Sequence, residues 1–219
     1  MKMIKLVLQA PLQSWGVRSR WDSRDTASSP TKSAIIGILG SALGYPRGDT
    51  RLAELSDALH IAVRSDQSGT IGSDFHTVHA PEGQMIMNAQ GSPRCENIVT
   101  RRQYLQDARF TAIIWGNEES IDSCEKALRH PVWAAYLGRK SCVPSVPLIP
   151  EVIYADNIND AIVDGASDGS YVEIEWTQDA IIQENEHLVE KIDNVVDAHI
   201  NNYRSRKIRA YVFKKEGDE

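Results

Sequence analysis

Ser29-Pro30-Thr31-Lys32-Ser33-Ala34-Ile35-Ile36-Gly37-Ile38-Leu39-Gly40-Ser41-Ala42-Leu43-Gly44 carries the start, the buried stripe and the stop of one helix. Ser29 can cap it, and Pro30 at the first helical position loses nothing by lacking an N–H. Ala34, Ile35, Ile38, Leu39, Ala42 and Leu43 then fall on one helical face, and Gly44 fits the stop. Gly37 and Gly40 each cost about 1 kcal/mol against Ala inside a helix. Their presence predicts close approach to a sheet or another backbone. Upstream, Ile4 to Leu8 reads as a strand, ended by a loop from Ala10 to Gly16, and the polar stretch 18–29 reads as exposed. Downstream, Thr50 to Leu59 carries Leu52, Leu55 and Leu59 on one helical face, and Ile61-Ala62-Val63 is a strand. Residues 69–103 hold Gly and Pro without sustained periodicity, which predicts a protruding hairpin arm. Phe110 to Trp115 is a core strand, and Ile121 to Arg129 is a helix stopped by Pro131. Val143 to Pro150 is a Pro-rich link. Ser170 to Trp176 and Ile208 to Lys214 read as strands, and Glu186 to Ile200 as a helix. The order predicts an α+β fold of ferredoxin-like type, with residues 1–150 as the palm and arm and 151–219 as a smaller β-rich C-terminal extension packed on it.

The chain has 219 residues, 42% hydrophobic and 25% charged, which suits a globular protein with one sizeable core. No run approaches the roughly 18 apolar residues of a membrane span. The apolar start is broken by Lys5 and Gln9, so it reads as a strand, with a cytoplasmic location and no membrane partner expected. Cys95, Cys124 and Cys142 form no CxxC pair, which argues against a disulfide framework and a zinc ribbon. The net charge is −6, unevenly spread: residues 151–219 hold 16 acidic and 7 basic side chains, residues 1–150 hold 14 and 17. A mildly basic body can carry a basic groove despite an acidic total.

Three segments are specific in combination: Leu8-Gln9-Ala10-Pro11-Leu12-Gln13-Ser14-Trp15-Gly16, Pro30 through Gly44, and Tyr136-Leu137-Gly138-Arg139-Lys140-Ser141-Cys142. Between the last two lie Asp74-Phe75-His76-Thr77-Val78 and Arg102-Gln103-Tyr104-Leu105-Gln106-Asp107-Ala108. In this order and spacing they resemble the CasD family of type I-E CRISPR Cascade subunits, within the repeat-associated mysterious protein (RAMP) superfamily. The match covers about residues 4–150, and Tyr203 to Lys215 resembles the family's closing basic segment. The resemblance implies a ferredoxin-like, non-catalytic crRNA-binding subunit that holds the 5′ handle of the guide and caps the Cascade backbone. It implies an arm, or thumb, that touches the backbone subunit CasC, with the large subunit CasA docked nearby and target DNA as a further contact. No cofactor is implied.

Single-stranded RNA is held by cations on phosphates and by aromatic faces under splayed bases. Gln13 and Ser14 follow the first strand and can hydrogen-bond a base edge or phosphate; Trp15 divides between stacking and core packing. Thr31 and Lys32 lie in a first helical turn, where free N–H groups and the helix dipole attract phosphate. Lys32-Ser33 lacks the rest of a GxxxxGK[ST] frame, so a nucleotidase is rejected. Arg139 and Lys140 stand beside Gly138, with Ser141 following; an extended backbone sends the two cations opposite ways, one to RNA and one to a protein partner. Arg94, Arg101 and Arg102 fall on the arm or its base, followed by Tyr104, with His76 at the other base. Met85, Ile86 and Met87 divide between a contact surface and packing within the arm. Arg204, Arg206, Lys207 and Arg209 divide between nucleic acid and the acidic residues around 184–197. The expectation as a whole is one basic cleft formed by the loop at Gln13, the helix start at Lys32 and the turn at Arg139.

The rival reading is a metal-independent endoribonuclease that processes CRISPR repeat RNA, for which His76, His79, Tyr104 and Lys140 are the right residue types. His76 and His79 on an extended strand point to opposite faces, which weighs against a paired mechanism. A protein-interaction module without RNA contact is the third reading.

Overall fold

The computed structural model describes residues 1–17, 22–87, 91–94, 97–177 and 185–215, and within them one sheet organises the chain. Its first strand, β1 (Lys2–Gln13), buries Ile4, Leu6, Leu8 and Ala10 on one face, the period of two that an extended chain imposes. Sequence reading ends this strand at Leu8, yet it continues through Pro11. The reason is positional: β1 is paired on one side by β7 (Ile98–Gly116), while β8 (Glu151–Tyr154) covers its other side only from Lys2 to Lys5. Pro11 thus lies where β1 is an edge, and a missing N–H costs little there.

The helix that opened the sequence reading is α1 (Lys32–Leu43), capped by Thr31, whose Oγ1 accepts from the Ala34 N–H at 3.3 Å, and ended by Gly44 in the left-handed region. Ser29 is therefore not the cap; its hydroxyl donates to Glu173 at 3.0 Å. α2 (Arg51–Ala58) packs beside α1, and a Cβ on Gly40 would stand 2.4 Å from Leu52 Cδ2, so this glycine provides the predicted close approach. Gly37 has nothing within 4 Å of such a Cβ and serves no close approach.

β3 (Leu59–Gln67) pairs with the second half of β7. The arm is real: β4 (Thr70–Val78) pairs with the first half of β7 from Val78↔Ile98 to Thr70↔Gln106. At its tip β5 (Ile86–Met87) pairs with β6 (Pro93–Arg94), leaving Met85 and Met87 exposed. The side chain of Arg94 and residue Cys95 lie outside the described residues. β2 (Ser23–Arg24) runs parallel to β7 at Arg101 and Arg102 and orders part of a loop expected to be exposed throughout. α3 (Glu118–Arg129) follows β7 and is capped by Asn117.

The C-terminal third adds strands to both sides of the same sheet. After β8 comes α4 (Ile158–Val163), then β9 (Tyr171–Glu175), β10 (His187–Asp197) and β11 (Asn202–Val212). The strand order is β10-β11-β9-β3-β7-β1-β8, with β2 and β4 also on β7, nine strands in all among the described residues. Every pairing is antiparallel except that of β2. The protein is thus a mixed α/β fold on one mostly antiparallel sheet. One face buries Ile4, Leu6, Leu8, Phe110, Ala112 and Ile114 under α1, α2 and α3; the other buries Ile113, Trp115, Val172 and Ile174 beside α4.

The helix expected over Glu186 to Ile200 is corrected: this stretch is β10, paired with β11 from His187↔Ala210 to Asp197↔Asn202. Its inward positions include Lys191 and Asp193, which hide the alternation because their charges are paired inside, Lys191 with Glu173 and Asp193 with Arg206. No helix among the described residues is long and apolar enough to cross a membrane.

Candidate nucleic-acid interface

The turn at residues 136–142 is docked on the end of β1. The Ser14 N–H donates to the Leu137 carbonyl at 3.0 Å, and Leu137 N–H to Cys142 O at 2.8 Å. Gly138 has φ +95°, and a Cβ there would lie 1.6 Å from the Ser14 carbonyl oxygen, so only glycine fits. Arg139 extends from this turn across the base of the arm. Its Nη1 donates to the Gln103 carbonyl at 2.9 Å, its Nη2 to the Arg24 carbonyl at 3.3 Å, and the guanidinium lies 4.5 Å over the Tyr104 ring centroid. Lys140 and Ser141 stay exposed, as does Arg101, while Arg24, Arg102 and Arg139 are half-buried. His76 is also half-buried, with Nε2 3.6 Å from Asp74.

The first and third motif segments therefore meet, but through backbone. Gln13 is wholly buried: its Nε2 donates to the Ala108 carbonyl at 2.6 Å and its Oε1 accepts from Trp15 Nε1 at 3.2 Å. Ser14 and Trp15 are buried too, so of the two readings of Trp15 the core one holds; Gln13 is spent on the Ala108 carbonyl and the Trp15 indole, Ser14 holds the turn through its backbone N–H, and, contrary to expectation, neither side chain is open to a ligand. Tyr104 is buried and its ring face is taken by Arg139, so it offers no stacking surface.

Lys32 is the largest correction. Its side chain is 2% exposed and its Nζ donates to Glu175 at 2.8 Å, while its backbone N–H, one of the free groups expected to attract phosphate, donates to Asp193 at 2.7 Å. Arg206 closes the group, donating to Asp193 at 2.6 Å and standing 3.8 Å from Glu175. Two carboxylates from the C-terminal strands thus occupy the anion site at the start of α1. Burial pulls the Lys32 ammonium below the usual lysine range despite the nearby Glu175. Burial pushes the Glu175 carboxyl up, but His60, Lys32 and Arg206 outweigh it and hold it below the usual range. Thr31 is buried as the cap. The partners of Lys32 lie on β9 and β10, and its side chain is closed off from solvent, so the expected three-part cleft reduces to the turn and the arm base.

The basic run on β11 is consumed inside the chain. Arg204 pairs with Asp57, Arg206 with Asp193, Arg209 with Glu186 at 2.8 Å, and Lys207 lies 5.6 Å over the Trp176 ring. Burial pushes the Cys124 thiol up to about 12 and also raises Cys142, so neither is a poised nucleophile. No cluster of three metal-type side chains occurs among the described residues. Two exposed aromatics are given no role by the sequence: Trp133, and Tyr136 at the head of the third motif segment, 46% and 38% exposed on the segment leading into the turn. Their position just ahead of Arg139 and Lys140 is the signal that could have found them.

An antiparallel sheet backed by helices, with a cationic turn docked at the root of a projecting arm, defines a mixed α/β protein with a surface suited to a polyanion. The family model for CRISPR-associated protein (Cas_Cas5) matches residues 3–213, and the chain belongs to that family. It is 37% identical over 155 residues to the CRISPR system Cascade subunit CasD of Escherichia coli (strain K12), covering 65% of this chain and 67% of that one. Among solved structures it is similar to a chain of a CRISPR RNA-guided surveillance complex, with TM-score 0.73 and 29% identity over 96% of this chain and 89% of the other. It is also similar to a Cas protein solved by crystallography, with TM-score 0.68, 28% identity, and coverage of 98% and 96%.

Proposed function

We propose that the chain is a non-catalytic crRNA-binding subunit of a type I-E CRISPR surveillance complex, holding the 5′ handle of the guide and capping the backbone. Family membership and the likeness to a Cascade subunit support this reading. The observation that carries it is the cationic surface at the arm base: exposed Lys140 and Ser141 on the turn that Arg139 ties to β7, and half-buried Arg102 on β7, with exposed Trp133 and Tyr136 on the segment leading into the turn as stacking faces; Arg101, next to Arg102, faces the other side of the strand. His76 borders this surface from β4.

The order β8-β1-β7-β3, each strand antiparallel to the next, with α1 leading from β1 to β3 and α3 from β7 to β8, supports a ferredoxin-like palm whose fourth strand, β8, lies just past residue 150. The extension then begins after Tyr154, and its strands β9, β11 and β10 continue the sheet beyond β3. On the arm, Ile71, Phe75 and Val99 share one exposed face by their pairing register, which suits a protein contact; we assign it to the backbone subunit CasC, with CasA on the palm.

The test is incubation of the full chain with its repeat RNA in EDTA. Retention without product supports the handle-binding reading. Specific cleavage that disappears in His76→Ala refutes it in favour of the metal-independent ribonuclease.

A further inference from the structure

The arm base crowds positive charge in a way the fold does not require. β2 and β7 run parallel in register, with Arg24 beside Arg102, so their side chains leave the same face from strands about 4.8 Å apart. Tyr104 lies on that face two residues beyond Arg102, and Arg139 is stacked on its ring. Three guanidinium groups thus gather on one surface. Asp74, the antiparallel partner of Arg102, is the carboxylate on the arm's side, and it stands against His76. Asp25 follows Arg24 and accepts from the Val17 N–H at 3.2 Å. Among the described residues no carboxylate is paired with Arg24 or Arg102; Arg102 Nε reaches only the Thr100 hydroxyl, at 3.4 Å. Like charges side by side across a ladder are destabilising, and an anion between them removes that cost.

Arg139 is employed differently. Two of its nitrogens donate to carbonyls on two different strands, Arg24 on β2 and Gln103 on β7, and its face is against Tyr104. A planar fork can bridge two strands in this way, and a lysine cannot. Resting on the RNA-binding reading above, we propose that Arg24 and Arg102 form a two-guanidinium clamp on one phosphate of the bound strand, and that Arg139 is the positioning residue that sets their spacing. Arg24 thereby joins the site, and Arg139 acts through its neighbours.

The experiment measures affinity of the full chain for a fluorescein-labelled single-stranded oligoribonucleotide of the repeat over a series of KCl concentrations. Arg24→Ala and Arg102→Ala are each expected to weaken binding about tenfold. Each flattens the slope of log K against log[salt] by about 0.7, the share of one phosphate on a single strand, and the double variant flattens it no further. Arg139→Ala weakens the wild type but adds nothing to the double variant, and Arg139→Lys does not rescue it. An Arg24→Ala chain that binds as tightly as an intact one that itself binds overturns the clamp and leaves the RNA-binding reading standing. A double variant that flattens the slope twice as far also overturns it, since two phosphates are then held. Loss from Arg139→Ala that adds in full to the double variant makes Arg139 a direct contact and overturns its positioning role. An intact chain that does not bind the oligonucleotide overturns the RNA-binding reading and the clamp together.

Discussion

Replacing Lys32 with alanine separates two accounts of the motif at the start of α1. Were Lys32 a phosphate ligand, the change would weaken RNA binding and spare the fold. The structure predicts the reverse. The ammonium is 2.8 Å from Glu175, and the two side chains are 2% and 9% exposed. Removing one partner of a buried pair typically costs 3–5 kcal/mol, because the other charge stays buried without it. Arg206 at 3.8 Å and His60 at 3.4 Å remain beside Glu175, and the Ile61 N–H still donates to it at 3.2 Å. These place the loss at the lower end, about 3 kcal/mol. With a urea m-value of about 2–3 kcal/mol/M, the unfolding midpoint falls by about 1 M. Urea titration followed by circular dichroism measures it, and Lys32→Met combined with Glu175→Met should regain much of the loss, since no charge is then stranded. A Lys32→Ala chain of unchanged stability whose RNA binding has a flatter salt dependence would refute this reasoning and restore Lys32 to the ligand.

Three further outcomes follow from other contacts. Gly138→Ala should destabilise the chain by about 3 kcal/mol, combining a left-handed backbone with a Cβ driven into the Ser14 carbonyl, and should also weaken RNA binding; a midpoint within error of the wild type contradicts the docked turn. Gln13→Leu leaves the Ala108 carbonyl and the Trp15 indole N–H without a side-chain partner, for about 1–3 kcal/mol of stability and no change in the salt slope of RNA binding. Because the folded Glu175 carboxyl is held below its ordinary value of 4.5, its contribution is present above that pH and is lost as pH falls through the lower, folded value. Glu175→Gln should therefore narrow the difference in stability between pH 7 and pH 4, and an unaltered difference would show that other carboxylates carry it.

Much of the framework is legible in the sequence because it is written locally. The stripe of α1 and its Gly44 stop, the leucines of α2 and the broken pattern of the arm each depend on neighbours within a turn or two. What escapes is whatever depends on a distant partner. Pro11 looks like a terminator until β8 is seen to leave that side of β1 open. β10 looks helical because its inward Lys191 and Asp193 are compensated by residues on β9 and β11. The site divides in the same way. The first and third motif segments do meet, with the turn at Gly138 resting on Ser14, while the start of the second is taken up by the C-terminal strands. Residue type alone cannot separate a polar side chain that serves a ligand from one that satisfies buried groups of the fold: Gln13 and Thr31 bond backbone, and Lys32 pairs with Glu175. Arg24, in a stretch with no periodicity, acquires its place only from a two-residue parallel pairing.

The internal pairing of the cations on β11 has an effect at long range. With Arg204, Arg206 and Arg209 matched to carboxylates, the acidic third keeps little positive charge to show a polyanion, while the turn and arm base keep theirs open. The molecule is then electrically lopsided, and a nucleic acid drifting towards it is turned to face the basic end before any contact forms. That guidance reaches about 10 Å at 0.1 M salt, so dilute buffer should quicken encounter as well as tighten the final grip.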